Sequence, residues 1–316
     1  MAHITTDIEE AARRLRSGEL VAFPTETVYG LGGIASDGEA VAKIYQTKGR
    51  PAFNPLITHV GDGDDAFKLG RRTPLAGKLA AAFWPGPLTL ILDCLDEVQV
   101  SSLARAGLDS LAVRVPAHPL ARALLQEAAI PVVAPSANKS GRISPTCSAH
   151  VQRQLGGDID LILEGGDCVC GLESTIIDAR GVRPIILRPG PISRADIEAV
   201  AGPVDTPLSD VNEVNPAAPG QLLSHYAPNG QVALNQKMPR AGRFYIGFGP
   251  DDEQARPSDM NLSPKGDLIE AAARLFSALH AADEAGAAFI DVAPIPNTDL
   301  GEAICDRLQR AAAKRP

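Results

Sequence analysis

Nothing in this 316-residue chain spells out a disulfide framework, a metal cage or a membrane anchor. Cysteine is sparse and odd in number: Cys94, Cys147, Cys168, Cys170 and Cys305, without the paired spacing of a zinc site or a bridged scaffold. Cys168 and Cys170 form a lone C-x-C pair with no second pair or histidine cluster beside it, so reduced thiols are expected. Apolar runs fall far short of a bilayer span. Asp7, Glu9 and Glu10 precede Arg13 and Arg14, which is not the basic-then-apolar order of a signal peptide, so the expectation is a cytoplasmic protein with no membrane partner. There is no G-x-x-x-x-G-K-[ST] loop, so any nucleotide is held without a P-loop. A G-x-S-x-G elbow and an H-E-x-x-H pair are also absent, which leaves serine hydrolase and zinc protease without support. Basic excess is missing too: 30 Lys and Arg against 38 Asp and Glu leave a net charge of −8 and a pI near 5.3. That argues against a protein whose main task is to coat nucleic acid, while local basic patches stay open.

What is present is enough for a sizeable core and two domains: 45% apolar residues, with 29 Gly and 26 Pro as punctuation. Residues 7–17 read as an amphipathic helix with Ile8, Ala11, Ala12 and Leu15 on one face, capped by Thr6 or Asp7. Strands are expected at 20–24, 56–60, 88–93, 111–116, 132–135, 159–163, 174–178 and 184–188, and helices at 38–48, 74–83, 118–129, 147–155 and 194–200. So many strands, some joined by helices and some not, predict a twisted mixed α/β sheet with flanking helices. Near Gly202 to Gly230 the composition turns to Pro, Asn, Ser, Gly and Asp, including Pro203, Pro207, Pro216, Pro219 and Pro228, which predicts a stiffened linker. Strands at 231–235, 243–248 and 287–292 with helices at 265–282 and 299–313 then predict a smaller α/β domain.

Several clusters could carry chemistry. Pro24 to Gly32, at the end of an apolar run, places hydroxyls, Glu26 and glycines where an open α/β sheet binds ligands, or forms an ordinary capped loop. Within it, Gly30 to Ala35 matches G-x-G-x-x-A weakly, since Pro24 to Tyr29 separate it from the preceding strand. Lys48-Gly49-Arg50-Pro51 offers two cations and equally fits a helix stop. Ser136-Ala137-Asn138 follows another buried strand and also fits a polar turn. Ser174-Thr175 and Arg188-Pro189-Gly190 bracket a strand pair, as a site or a surface hairpin. Arg114 lies inside an apolar strand, so it faces solvent or meets an anion.

Taken in order, Pro24 to Gly32, Lys48-Gly49-Arg50-Pro51, Asn54-Pro55-Leu56, Ser136-Ala137-Asn138, Ser174-Thr175-Ile176 with Asp178, Arg188-Pro189-Gly190 and His225-Tyr226-Ala227-Pro228 resemble the threonylcarbamoyl-AMP synthase family in its long, two-domain form. The resemblance implies a YrdC-like catalytic domain over 5–200, a Pro-rich linker or lid over 201–230, and a small Rossmann-like α/β domain over 231–316. It implies that L-threonine, bicarbonate and ATP, the last with Mg2+, give threonylcarbamoyl-AMP and pyrophosphate. A partner tRNA threonylcarbamoyl transferase complex then carries the group to adenosine 37 of tRNA, and a weak tRNA contact is compatible with this.

By the same resemblance Lys48, Arg50, Ser136 and Asn138 are the catalytic set. Arg50, Asn54, Ser110, Ser136, Ser144, Arg188 and Tyr226 bind ATP. Thr27, His59, Arg114, Ser174 and the backbone of Ala134 bind threonine, with Arg114 on its carboxylate. No protein side chain is expected to hold the metal, which arrives with ATP. His59, read without the resemblance, fits a buried or edge histidine. One departure is Ala218-Pro219-Gly220-Gln221-Leu222-Leu223-Ser224, where the family has Ser-Pro-Gly-Met and basic or aromatic residues before the His-Tyr-Ala-Pro core. Two other readings are an RNA-binding or ribosome-associated module, and a carbamoyltransferase of hydrogenase-maturation type. The latter lacks its acylphosphatase-like and zinc-finger regions here.

Overall fold

A computed structural model describes residues 1–96, 98–205, 225–251 and 257–313. The altered linker residues 218–224 lie outside them. The first sheet is built from β1 (His3–Thr5), β2 (Val21–Phe23), β3 (Gly30–Ile34), β4 (Ile57–His59), β5 (Leu88–Asp93), β6 (Ser110–Arg114), β7 (Val132–Val133), β8 (Leu161–Leu163), β9 (Thr175–Asp178) and β10 (Ile185–Arg188). Their spatial order is β1-β8-β2-β3-β7-β4-β6-β5-β9-β10, with parallel and antiparallel neighbours mixed. Helices α1 (Ile8–Arg16), α2 (Gly38–Lys48), α3 (Gly63–Leu69), α4 (Pro74–Phe83), α5 (Pro119–Ala128), α6 (Ser148–Leu155) and α7 (Arg194–Ala201) flank it. A second, all-parallel sheet runs β11-β14-β12-β13 from β11 (Gln231–Ala233), β12 (Phe244–Gly247), β13 (Met260–Asn261) and β14 (Phe289–Val292). With it come α8 (Leu268–Glu284) and α9 (Leu300–Ala312). Among the described residues no helix is long and apolar enough to cross a membrane.

Helix limits follow the local chemistry. Asp37 caps α2 through the Glu39 amide, and Gly49 ends it in the left-handed region at φ 61, where a β-carbon would be strained. Thr73 caps α4 and Pro74 opens it.

The central strands alternate their side chains between two faces. Leu88, Leu90, Leu92, Leu111, Val113 and Ile177 enter the main core. Register then fixes the other face: Thr89 lies opposite Arg114, Ile91 opposite Ala112, Asp93 opposite Ser110, and His59 beside Arg114. Ile57, Ile91, Ala112 and Ile176 form a small apolar floor there. A bulge in β10 brings Arg188, rather than Leu187, opposite Ile176, turning a cation onto the same face. The strands therefore have a core side and a cleft side, although their sequences read as continuous apolar runs.

The glycine-rich stretch Gly30 to Ile34 is strand β3 and not a phosphate loop. A β-carbon on Gly32 would lie 2.8 Å from the Phe23 ring and 3.1 Å from the Val21 carbonyl, so these glycines admit close packing of β2 on β3.

Candidate active-site cleft

The cleft lies on the Arg114 face of the sheet, walled by Thr25, Thr27 and Val28 of the loop after β2, by Leu56 and Ile57 at the start of β4, and by Ala134 to Ser136 after β7. Thr25 shapes that loop: its hydroxyl donates to the Val28 carbonyl at 2.6 Å and accepts from the amides of Thr27 and Val28 at 3.2 Å each. The cleft encloses about 570 Å³ of empty space, part of it open to solvent. Thr27, Arg50, His59, Arg114, Ala134, Ser136, Ser174, Arg188 and Tyr226 line it, and so do Glu173 and His225.

At one end Arg114 is pinned on three sides. Nη2 donates to Glu26 Oε1 at 2.6 Å, Nη1 to the Thr27 hydroxyl at 2.9 Å, and Nε to the Gly86 carbonyl at 3.3 Å. Glu26 also accepts from the Ala117 amide at 3.0 Å, so the loop is tied to the segment entering α5. Burial alone would raise the Glu26 carboxyl, but the Arg114 guanidinium holds it below the ordinary carboxylate range. His59 stands beside this pair with its Nδ1 3.1 Å from the Ile57 carbonyl. Burial, reinforced by the Arg114 charge, pulls its pKa down to about 3, so the ring is neutral.

The other end is cationic. Arg50 donates to the carbonyls of Asn54 and Pro55, and Arg188 to the carbonyl and hydroxyl of Ser174. Burial pulls both guanidinium pKa values down to about 10, and they remain charged at neutral pH. Lys48 is buried just behind the wall. Its ammonium donates to the carbonyls of Ser136 and Asn138, each at 2.5 Å, and burial, then Arg50 and Lys139, lower its pKa well below the usual lysine value. Among the described residues, every hydrogen-bond acceptor of these cations is a neutral oxygen. Asn54 is buried with both amide atoms unpartnered, a donor and an acceptor held ready beside Arg50.

Four other expected residues stand off the cleft wall. Asn138 is buried and spends its amide nitrogen on the carbonyls of Lys139 and Arg142, shaping the turn. Ser144 donates to Glu173 at 2.5 Å. Ser110 lies on the cleft face of β6 but at the far end from Arg114, opposite Asp93. Asn54 lies beside Arg50 without lining the cavity.

The roof comes from the segment after the linker. Tyr226 is 1% exposed at φ 62, with its ring 4.1 Å from His225 and 5.3 Å from Phe276 of α8. Ala227 docks its amide on the Gly141 carbonyl at 2.9 Å. Arg307 belongs to no motif legible in the sequence, whereas Glu26, Glu173 and His225 lie within motifs without a role of their own. Arg307 carried a usable signal, a cation on the α9 face otherwise made of Ala303, Ile304, Leu308 and Ala311.

Among the described residues no group of three or more His, Cys, Asp or Glu side chains could hold a metal ion. The oxygens at the cationic end are hydroxyls, carbonyls and the single Glu173 carboxylate, itself paired with Arg307.

Comparison with known proteins places this cleft in context. Residues 13–190 match a family described as "Telomere recombination", and residues 192–313 match the family described as "Threonylcarbamoyl-AMP synthase, C-terminal domain". The chain is 42% identical to the threonylcarbamoyl-AMP synthase of Bacillus subtilis, covering 98% of this chain and 93% of that protein. It is 40% identical to the protein of the same name from Pyrococcus abyssi, over 98% and 94% of the two chains. A solved structure of Pyrococcus abyssi Sua5 complexed with L-threonine superposes with a TM-score of 0.86 at 37% identity, covering 96% and 94% of the two chains.

Proposed function

The chain belongs to the threonylcarbamoyl-AMP synthase family, and from that premise we propose that its cleft joins L-threonine, bicarbonate or dissolved CO2, and ATP into L-threonylcarbamoyl-AMP, releasing pyrophosphate. The observation that carries this reading is the split character of the cleft. One end has a charge-balanced arginine, and at the other half-buried Arg50 and buried Arg188 donate, among the described residues, to neutral oxygens. A zwitterionic amino acid suits the first, and a polyphosphate suits the second.

Threonine lies with its carboxylate toward Arg114 and its hydroxyl among Thr27 and Ser174, and His59, being neutral, does not compete for that carboxylate. The threonine ammonium releases a proton to solvent, the free amine adds to CO2 with its nitrogen lone pair forming the N–C bond, and a second proton leaves to solvent, giving a carbamate. A carbamate oxygen then attacks the α-phosphorus of ATP, the bond to the bridging oxygen breaks, and pyrophosphate leaves. No protein nucleophile is required, because the step demands alignment and neutralisation of charge. Arg50 and Arg188 meet the phosphate oxygens, Ser136 orients them, Asn54 braces Arg50 through its carbonyl, and Lys48 and Asn138 hold the Ser136 turn in place. A magnesium ion arriving with ATP would add to the neutralisation of the leaving pyrophosphate.

Residues 5–200 carry the chemistry in this reading, 231–316 form the second domain, and His225 to Pro228 close over the product to keep water from the labile mixed anhydride. The adenylate is then passed to a tRNA threonylcarbamoyl transferase. The test is incubation with ATP, threonine and labelled bicarbonate. Pyrophosphate together with a labelled, labile adenylate is expected, and ATP hydrolysis without threonine dependence would overturn the reading.

A further inference from the structure

We infer that Arg307, on α9, is a positioning residue for the phosphate end of the cleft: it cancels the charge of Glu173, so that the wall presents a net positive surface to a polyphosphate. This rests on the proposed binding of ATP there, and it assigns the second domain a part in that binding.

Glu173 lines the cleft one residue before Ser174, whose carbonyl and hydroxyl hold Arg188. It is 7% exposed. Left alone, its carboxylate would oppose a triphosphate at short range in a poorly screened site. It is not left alone. Arg307 Nε donates to Oε2 at 2.9 Å, its Nη2 is 3.5 Å from the Glu173 carbonyl, and the Ser144 hydroxyl donates to Oε1 at 2.5 Å. Arg307 is wholly buried and its guanidinium carbon lies 5.5 Å from the centre of the Tyr226 ring. Asp306 also touches Arg307, at 2.7 Å, but Asp306 is matched in turn by Arg310 at 2.9 Å, so the four charges sum to zero and Glu173 is neutralised.

Packing alone does not account for the pair. A buried ion pair is a weak source of stability, since apolar residues of similar size often serve as well, whereas removing one partner strands the other's charge. Here the stranded charge would face the nucleotide.

The experiment uses the full-length protein and reads dissociation constants for ATP and for adenosine. Arg307→Met should weaken ATP by roughly tenfold or more while adenosine changes by less than about threefold, because only the phosphates sense the freed carboxylate. The double variant E173Q/R307M should return ATP to within about threefold of wild type. Equal losses for ATP and adenosine, or no recovery in the double variant, would reduce Arg307 to a packing residue and overturn the inference. If R307M does not fold, E173Q with Arg307 intact still decides: ATP should bind as tightly as in wild type or more tightly. A tenfold loss there would mean that the nucleotide or its magnesium uses Glu173 directly. Wild-type protein that fails to bind ATP would bring down the functional reading itself, whereas wild-type binding unchanged in R307M would bring down this inference alone.

Discussion

The two ends of the cleft use the same residue type to opposite effect. Arg114 and Arg188 are both buried arginines on the cleft face of one sheet, yet Arg114 has a carboxylate at 2.6 Å, whereas Arg188 donates, among the described residues, to the carbonyl and hydroxyl of Ser174. Nearby carboxylates are distributed to keep this difference. Glu26 is placed on Arg114, while Glu173, which lines the cationic end, is taken up by an arginine from another sheet unit. A buried cation without a counter-charge costs stability, so a protein keeps one where a ligand completes it. The balanced end suits a molecule that brings charges of both signs, and the unbalanced end suits a polyanion.

Breaking the balanced end should have the largest effect. Arg114→Ala strands Glu26 in a buried loop, so stability should fall by about 3–5 kcal/mol, read from denaturant unfolding. If the variant is held folded at low temperature, KM for threonine should rise far more than KM for ATP. Equal rises would move Arg114 out of the threonine end. Breaking the unbalanced end acts on chemistry instead: Arg50→Ala strands no carboxylate, so the fold should survive while turnover drops roughly a hundredfold or more, about 2.7–4 kcal/mol of transition-state stabilisation. Wild-type pyrophosphate release from that variant would remove Arg50 from the phosphate site.

Serine probes the fit of the balanced end without touching the protein. Losing one methyl should lower kcat/KM by about 1–3 kcal/mol, provided that the pocket near Thr27 and Ser174 is fitted to threonine. Identical rates for serine and threonine would count against such a pocket.

A separate effect is one of pH. His59 sits next to Arg114, with a folded pKa near 3 against an ordinary value of 6.5. The unfolded chain therefore binds the proton first, and the stability from a neutral His59 is complete above about pH 6.5 and lost progressively as pH falls toward 3. Each such histidine contributes at most about 1.4 kcal/mol per pH unit in that window. His280, pulled down to about 3 by burial and by the stacked His150 ring 3.7 Å away, acts in the same direction. His59→Asn should flatten the pH dependence of the unfolding free energy between pH 6.5 and 4, and an unchanged slope would show that other groups dominate.

Local chemistry made much of the fold legible. The limits of α2, α4 and β5 coincide with those expected because caps, a proline and an apolar run mark them. Strands β1 and β13 and helix α3 escaped notice since they are short and gain their order by pairing or docking. Strand β3 escaped for another reason: glycines carry no side-chain pattern, and only the edges of β2 and β7 make that segment a strand.

At the site, an arginine inside an apolar strand had either to face solvent or to meet an anion. It did not say which one, and Glu26 lies 88 residues away in the chain. Residue order by itself determined the longer helices, the apolar strand runs, the two-part organisation of the pattern and the motifs that mark the family, because caps, periodicity and spacing are local. The tertiary structure decided which charges meet. Whether a buried arginine is balanced by Glu26, left to a ligand like Arg188, or spent on Glu173 like Arg307 depends on distances of a few ångströms across strands and between sheets, where Coulomb energy is settled and no local rule reaches.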